Sequence, residues 1–267
     1  MSTHPMTPTP YPEINPLICA LQAAVQATLG EHFIAMYLEG SLSSGDFDQD
    51  SDIDFVVVVD AEVTQEQFQA LRAMHERIAA LDTPWAIQLE GSYLSLQAIR
   101  RHDPAHTRFP NIERGPGERL KWADHGEPWV IHRAILRERG IPLAGPPPQA
   151  LIDPVDPSEL RRAMLPALNG WASELLAHPE RFPQRGYQSY IVLTLCRILY
   201  TLQFGAVTSK RKAAGWVTHS PGFPWVELVT RAWEGRHHPE QPASPGDIQG
   251  TLALIRYTIE IAQSTPI

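Results

Sequence analysis

Gly40-Ser41-Leu42-Ser43-Ser44-Gly45-Asp46-Phe47-Asp48-Gln49-Asp50-Ser51-Asp52-Ile53-Asp54-Phe55 is the stretch that decides the fold. An apolar run from Phe33 to Leu38 leads into it, and a second, Val56 to Val59, leads out. The pattern predicts strand, glycine-serine turn, acidic loop, strand. Asp52 and Asp54 stand two apart at the start of the second strand. Their side chains therefore leave the same face, roughly 6.6 Å apart at the backbone. Two carboxylates so placed are suited to hold Mg²⁺ beside the phosphates of a nucleotide. Gly40 lets backbone approach a phosphate closely, and Ser41 offers it a hydroxyl and a backbone N–H.

Two simpler readings compete. A solvated acidic turn would not need two flanking buried strands and a Gly-Ser entry. A calcium loop is suggested by the alternation of Asp46, Asp48, Asp50, Asp52 and Asp54. A helix-loop-helix calcium site begun at Asp46 requires Gly at its sixth position and Glu at its twelfth. Ser51 and Val57 stand there instead. A nucleotidyl-transfer site is the stronger reading. Gly40-Ser41, Gly45-Asp46-Phe47-Asp48 and Ser51-Asp52-Ile53-Asp54 together resemble the signature of the polymerase-β-type nucleotidyltransferases, which adds Ser51 to Gly40 and Ser41 as a nucleotide-binding candidate.

Composition narrows the partners. The 267 residues carry a net charge of −8, which argues against a nucleic-acid partner. It also leaves bound nucleotide dependent on metal and a few local cations, and it favours a cationic small substrate. Cys19 and Cys196 have no metal-ligand spacing and form no disulfide framework; both are expected in helix cores. No leader segment or membrane-spanning run is visible, so a soluble cytoplasmic chain is expected.

Taken in order, residues 1–12 are rich in Pro, Thr and Ser and are expected to be loose. Leu17, Leu21, Val25 and Leu29 mark a helix, and a second spans 64–81 with Phe68, Leu71, Met74 or His75, and Ile78 on one side. Residues 85–94 read as a third strand. Glu90 sits inside it, between Leu89 and Gly91. On an edge strand it would simply face water; beside the first motif it reads as a third acid meeting Asp52 and Asp54 across neighbouring strands. The segment 99–126 reads as irregular, with His102 and His106 at a surface or lid. A helix over 129–140 and a short strand over 141–144 follow.

The run Gly145-Pro146-Pro147-Pro148 marks a domain boundary. Beyond it every pattern is helical, with starts at Asp156-Pro157-Ser158-Glu159, Ser209 and Ser244. The expected architecture is α/β: a small mixed-sheet nucleotidyltransferase domain over 1–148, then an all-α bundle over 149–267.

Two cations stand out in that second half. Arg197 lies between Cys196 and Ile198 in an apolar helix, and Lys210 opens the next. An interhelical ion pair and a plain surface lysine are the simple readings. The functional one is that both meet a triphosphate, Arg as a planar fork and Lys as a movable point charge. Val192-Leu193-Thr194-Leu195-Cys196-Arg197-Ile198-Leu199-Tyr200, Gly205, and Ser209-Lys210 before Ala213-Ala214-Gly215-Trp216 resemble the helical domain of the aminoglycoside adenylyltransferases acting on streptomycin and spectinomycin. That resemblance implies ATP contacts for Arg197 and Lys210, and a base role for Glu90. The family carries a drug-contacting aspartate where this chain has Tyr187, and its Trp-containing segment is not recognisable here.

The expected reaction is transfer of AMP from ATP to a hydroxyl of a small molecule, with Asp52, Asp54 and Glu90 on Mg²⁺, two ions in all. An enzyme modifying a protein, or a module that senses ATP without transfer, are the alternatives. The added bundle argues against the first, and the intact acid set against the second.

Overall fold

The structure, a computed structural model, describes residues 7–126 and 129–266. The chain divides into two compact units, Met1–Gly126 with Ile135–Pro154, and Glu127–Ala134 with Val155–Ile267. The division thus falls after Pro154 rather than Pro148, and it borrows Glu127–Ala134 for the second unit.

The first unit opens with α1 (Asn15–Leu29), which buries Leu17, Ile18, Leu21, Val25 and Leu29. Cys19 falls off that stripe and is exposed, unlike the core position expected for it; Cys196 is buried as expected. Residues 1–6 of the expected loose tail lie outside the described residues. Its remainder is tied down: Thr9 is bonded to Asn15 through both its hydroxyl and its backbone, and Tyr11 packs on Phe47 at 4.7 Å.

Strand β1 (Phe33–Leu38) leads into a single helical turn, α2 (Gly40–Ser44), and the acidic loop returns as β2 (Ile53–Val59). Helix α3 (Gln65–Ala79) follows, started by a capping box between Thr64 and Gln67. After the 3₁₀ turn Pro84–Ile87 comes β3 (Leu89–Ser95). The strand therefore begins later than the sequence suggests, because Pro84 sets the helical φ of that turn.

The region read as irregular contains α4 (Leu96–Arg100) and an edge hairpin, β4 (Arg108–Ile112) and β5 (Lys121–Asp124). Helix α5 (Trp129–Arg139), β6 (Ile141–Ala144) and α6 (Pro148–Leu151) complete the sequence up to the division. The sheet order is β5-β4-β3-β2-β1-β6. Only β2 and β3 run parallel; the other neighbours are antiparallel.

Alternation along the strands separates two faces. Met36, Leu38, Phe55, Val57, Leu89 and Tyr93 join the core formed with α1 and α3. Asp54 and Glu90 point to the other face, beyond which α4 lies against β2 and β3.

The second unit is helical: α7 (Pro157–Ala167), α8 (Ser173–Ala177), α9 (Arg185–Phe204), α10 (Lys210–His219), α11 (Val226–Gly235) and α12 (Pro245–Ser264). Asp156, Ser209 and Ser244 cap their helices as their sequences suggest. Helix α9 is the hub, in contact with α7, α10, α11 and α12 and burying Ile191, Val192, Leu195, Cys196, Ile198 and Leu202. A π-helical turn, Leu168–Ala172, joins α7 to α8. Pro166 lacks the N–H that would continue the α-helical ladder, so the turn widens just after it. Among the described residues no helix is long and apolar enough to cross a membrane.

Candidate active site

Asp54 and Glu90 are direct register partners on the parallel strands β2 and β3. Each is the second residue of its strand, and Asp52 stands just before β2. Ile53 N–H donates to Gln88 O at 2.8 Å, which locks the two strand starts side by side. One carboxylate oxygen from each of Asp52, Asp54 and Glu90 lies within 4.8 Å of the others, and all three residues are half-buried. Arg114 approaches Asp52 at 3.7 Å from the loop after β4. Nothing in the sequence marks this arginine, since it sits among several exposed charges.

The Gly-Ser turn borders the acids. Glu39 N–H donates to Asp54 O at 3.0 Å, so the entry to α2 is anchored on the strand that carries the acid. Gly40 has φ +62, a conformation that side chains with a Cβ rarely adopt. A Cβ on it would also fall on the Asp54 carboxylate. Ser41 Oγ is buried and has no hydrogen-bond partner in the protein. A buried hydroxyl left this way is a place for a ligand atom.

The acidic loop is organised by one of its own carboxylates. Asp48 Oδ1 accepts from Asp50 N–H at 3.2 Å and from Ser51 Oγ at 3.0 Å, and Ser51 Oγ accepts from Asp48 N–H at 3.0 Å. The Ser51 hydroxyl, expected to meet nucleotide, is engaged within the loop. Within the aspartate alternation, Asp48 thus forms the turn, while Asp52 and Asp54 cluster with Glu90.

The donor set fits a hard divalent cation: three carboxylates, all oxygen, converging from adjacent strands. Imidazole and thiolate are absent from the cluster, which disfavours a softer metal.

Arg197, Lys210 and Tyr187 belong to the second unit. Tyr187, Tyr190, Thr194 and Arg197 recur at helical spacing along one face of α9. The rings of Tyr187 and Tyr190 are stacked at 5.9 Å, and Lys210 Nζ lies 5.4 Å from the Tyr190 ring centre. Trp171, carried by the π-helical turn, donates its indole N–H to Tyr187 OH at 3.1 Å and meets Tyr190 edge-on. Trp171 escaped the sequence reading because its place in the group depends on the widened turn; Tyr190, three residues from Tyr187 on the same helix, could have been found by spacing.

Glu113 and Glu118 pair with Lys121 at 2.9 and 3.8 Å. His106 pairs with Asp103, whose carboxylate raises the imidazole pKa above its ordinary value, in an exposed turn.

Residues 26–92 match the family described as nucleotidyltransferase domain, and residues 150–259 match the family described as aminoglycoside adenylyltransferase, C-terminal domain. An aminoglycoside (3'') (9) adenylyltransferase of Shigella flexneri is 26% identical over 214 residues, covering 76% of this chain and 78% of its own length. A spectinomycin 9-adenylyltransferase of Staphylococcus aureus is 25% identical over 244 residues, covering 87% and 89%. In fold, the chain resembles the spectinomycin adenyltransferase of Enterococcus faecialis crystallised with ATP and spectinomycin. The TM-score is 0.66 at 17% identity, over 93% of this chain and 98% of that one.

Proposed function

Because this chain belongs to the nucleotidyltransferase superfamily, in the family of the aminoglycoside adenylyltransferases, and is an adenylyltransferase, we propose that it moves AMP from ATP to a hydroxyl of a small molecule. The observation that carries the reading is the convergence of Asp52, Asp54 and Glu90 from two adjacent strands. These three residues would hold Mg²⁺. When bound, the ion supplies charge neutralisation at the phosphates and orients the α-phosphorus for attack.

The chain's own groups have separate tasks. Gly40 and Ser41 cradle phosphate; the orphaned Ser41 Oγ supports this. Glu90 takes the proton from the attacking hydroxyl. The bond from that oxygen to the α-phosphorus forms, and the bond from the α-phosphorus to the oxygen bridging to the β-phosphate breaks. Pyrophosphate leaves with the negative charge, which Arg197 and Lys210 offset.

The acceptor meets the aromatic group of Trp171, Tyr187 and Tyr190. Tyr187 and Tyr190 are 37% and 44% exposed, so the aromatic group is accessible from solvent. Rings and a phenol favour a flatter or less charged acceptor than a polycation held by an aspartate.

Incubation of candidate acceptors with ATP and Mg²⁺, read by mass spectrometry, tests the proposal. A mass gain of one adenylyl group on a small hydroxyl compound is expected, with pyrophosphate released. Adenylylation confined to proteins, or ATP binding without any transfer, would overturn it.

A further inference from the structure

Four strands bring polar groups to one end of the sheet. The end of β1 leads into the turn of Gly40 and Ser41. Strands β2 and β3 run parallel, so both start there, with Asp52, Asp54 and Glu90. Strand β4 is antiparallel to β3, with Ile112 opposite Gly91, so its last residues deliver Arg114 to the same end. In the sheet, β1 and β4 flank the pair β2 and β3. The turn of Gly40 and Ser41 therefore lies on one side of the acids, and the loop carrying Arg114 approaches from the other.

The backbone around Arg114 is tied down on both sides. Ahead of it, the Asn111 side chain donates to Gly91 O at 3.2 Å and to Ser92 Oγ at 3.0 Å. Directly after it, Gly115 N–H donates to Ile87 O at 2.8 Å. The side chain is less committed. Arg114 Nη1 lies 3.7 Å from Asp52 Oδ2, and 47% of the side chain is exposed. That distance is too long for a hydrogen bond, and an ion pair so exposed adds little stability. Nearby Lys121, by contrast, sits 2.9 Å from Glu113. A guanidinium presents five N–H donors, and Asp52 engages none of them at this distance.

We propose that Arg114 selects the acceptor, favouring a small hydroxyl compound that carries a carboxylate or phosphate group beside that hydroxyl. The inference rests on Gly40 and Ser41 as the phosphate cradle and on Glu90 as the base. In transfer at phosphorus the attacking and leaving oxygens lie roughly in line, on opposite sides of the phosphorus. With pyrophosphate toward the cradle, the acceptor stands on the far side of the acids, where Arg114 enters. A guanidinium there pairs with two anionic oxygens at once and repels an ammonium group. The net charge of −8 draws cations to the molecule from a distance. At contact the nearest charge decides, since the interaction falls with separation.

The probes are glycerate and glycerol phosphate, with glycerol as the neutral control and aminopropanediol as the cationic one. They are titrated into the full chain carrying ¹⁵N-labelled arginine. Mg²⁺ and an ATP analogue with a methylene bridge between the α- and β-phosphates fill the cradle, so no AMP is transferred. At least one anion should shift the Arg114 Nε resonance saturably and bind about tenfold or more tighter than glycerol, the scale of one charge-assisted hydrogen bond. The tighter of the two anions identifies the group recognised. Aminopropanediol should bind more weakly than glycerol. Arg114→Gln should erase the preference for anions and leave analogue affinity, read by calorimetry, unchanged. Equal affinity for glycerol and both anions, or a preference that survives Arg114→Gln, would overturn the proposal. So would loss of analogue affinity in that variant, because the arginine would then serve the nucleotide. A wild-type chain that binds no analogue would overturn the parent reading and this proposal with it, a result distinct from the other three.

Discussion

Gly40 and Asp54 occupy adjoining space so closely that a methyl group on Gly40 would fall 1.8 Å from Asp54 Oδ2. Glycine is therefore required twice, once for its φ of +62 and once for the carboxylate beside it. The obstructing atom is the end of a side chain, so in Gly40→Ala it is the acid that moves. The variant should fold with a loss of about 1–2 kcal/mol from the left-handed backbone. Its turnover should fall about 10²-fold, the effect expected when a catalytic group is misplaced by an ångström. Thermal unfolding and a pyrophosphate-release assay on the same preparation separate the two effects. Wild-type turnover would show that the position of Asp54 is not critical.

Asp52→Asn and Asp54→Asn each remove a charged oxygen donor with little change of volume. Both variants should keep the fold and lose ATP turnover. Near-normal turnover with Mg²⁺ in either one would remove that residue from the metal site.

Glu90→Gln separates base from ligand. Loss of a general base commonly costs about 10²–10⁴ in rate. The variant should bind MgATP with modest loss and transfer AMP slower by that factor. If calorimetry shows nucleotide binding gone altogether, Glu90 is chiefly a metal ligand.

Lys210→Met removes a charge proposed to offset pyrophosphate while keeping an unbranched side chain over the Tyr190 ring. ATP affinity should fall about tenfold or more, the scale of one charge-assisted hydrogen bond of roughly 1.5–3 kcal/mol. Unchanged ATP affinity together with unchanged turnover would return this lysine to a surface role.

Streptomycin and spectinomycin are expected to be poor or inactive acceptors. The resembling family carries an aspartate where Tyr187 stands, and losing one charge-assisted hydrogen bond of roughly 1.5–3 kcal/mol weakens binding ten- to a hundredfold or more. Glu113 and Glu118 are both paired with Lys121, so neither offers an uncompensated charge in its place. Adenylylation of either drug at the rate of a dedicated resistance enzyme would refute this.

Local chemistry made much of this legible. Asp52 and Asp54 were readable as a pair because strand period fixes their common face, and Asp156, Ser209 and Ser244 because a cap binds its own helix. Glu90 was readable because a carboxylate between Leu89 and Gly91 needs a reason. The β4–β5 hairpin was not. Pro110 interrupts the strand pattern of β4, and β5 is four residues long with two half-buried residues between exposed ends, so neither shows a period-2 alternation. The grouping of Trp171 with Tyr187 and Tyr190 was equally hidden, since the widened turn after Pro166 shifts the helical phase on which spacing arguments rest. Cys19 illustrates a smaller error: its neighbours Ile18 and Ala20 are apolar, but its own position lies off the buried stripe.

The parallel pairing of β2 and β3 has a consequence for how the molecule comes apart. Parallel strands cannot be joined by a tight hairpin, so the chain must leave β2, form α3, and return before Asp54 meets Glu90. The two acids are distant along the chain until that crossover has closed. A divalent ion held by both is then a clasp on the crossover, absent from any state in which α3 has peeled away. Such an ion would favour the chain in which β2 and β3 are paired, so raising its free concentration should slow amide exchange across that crossover.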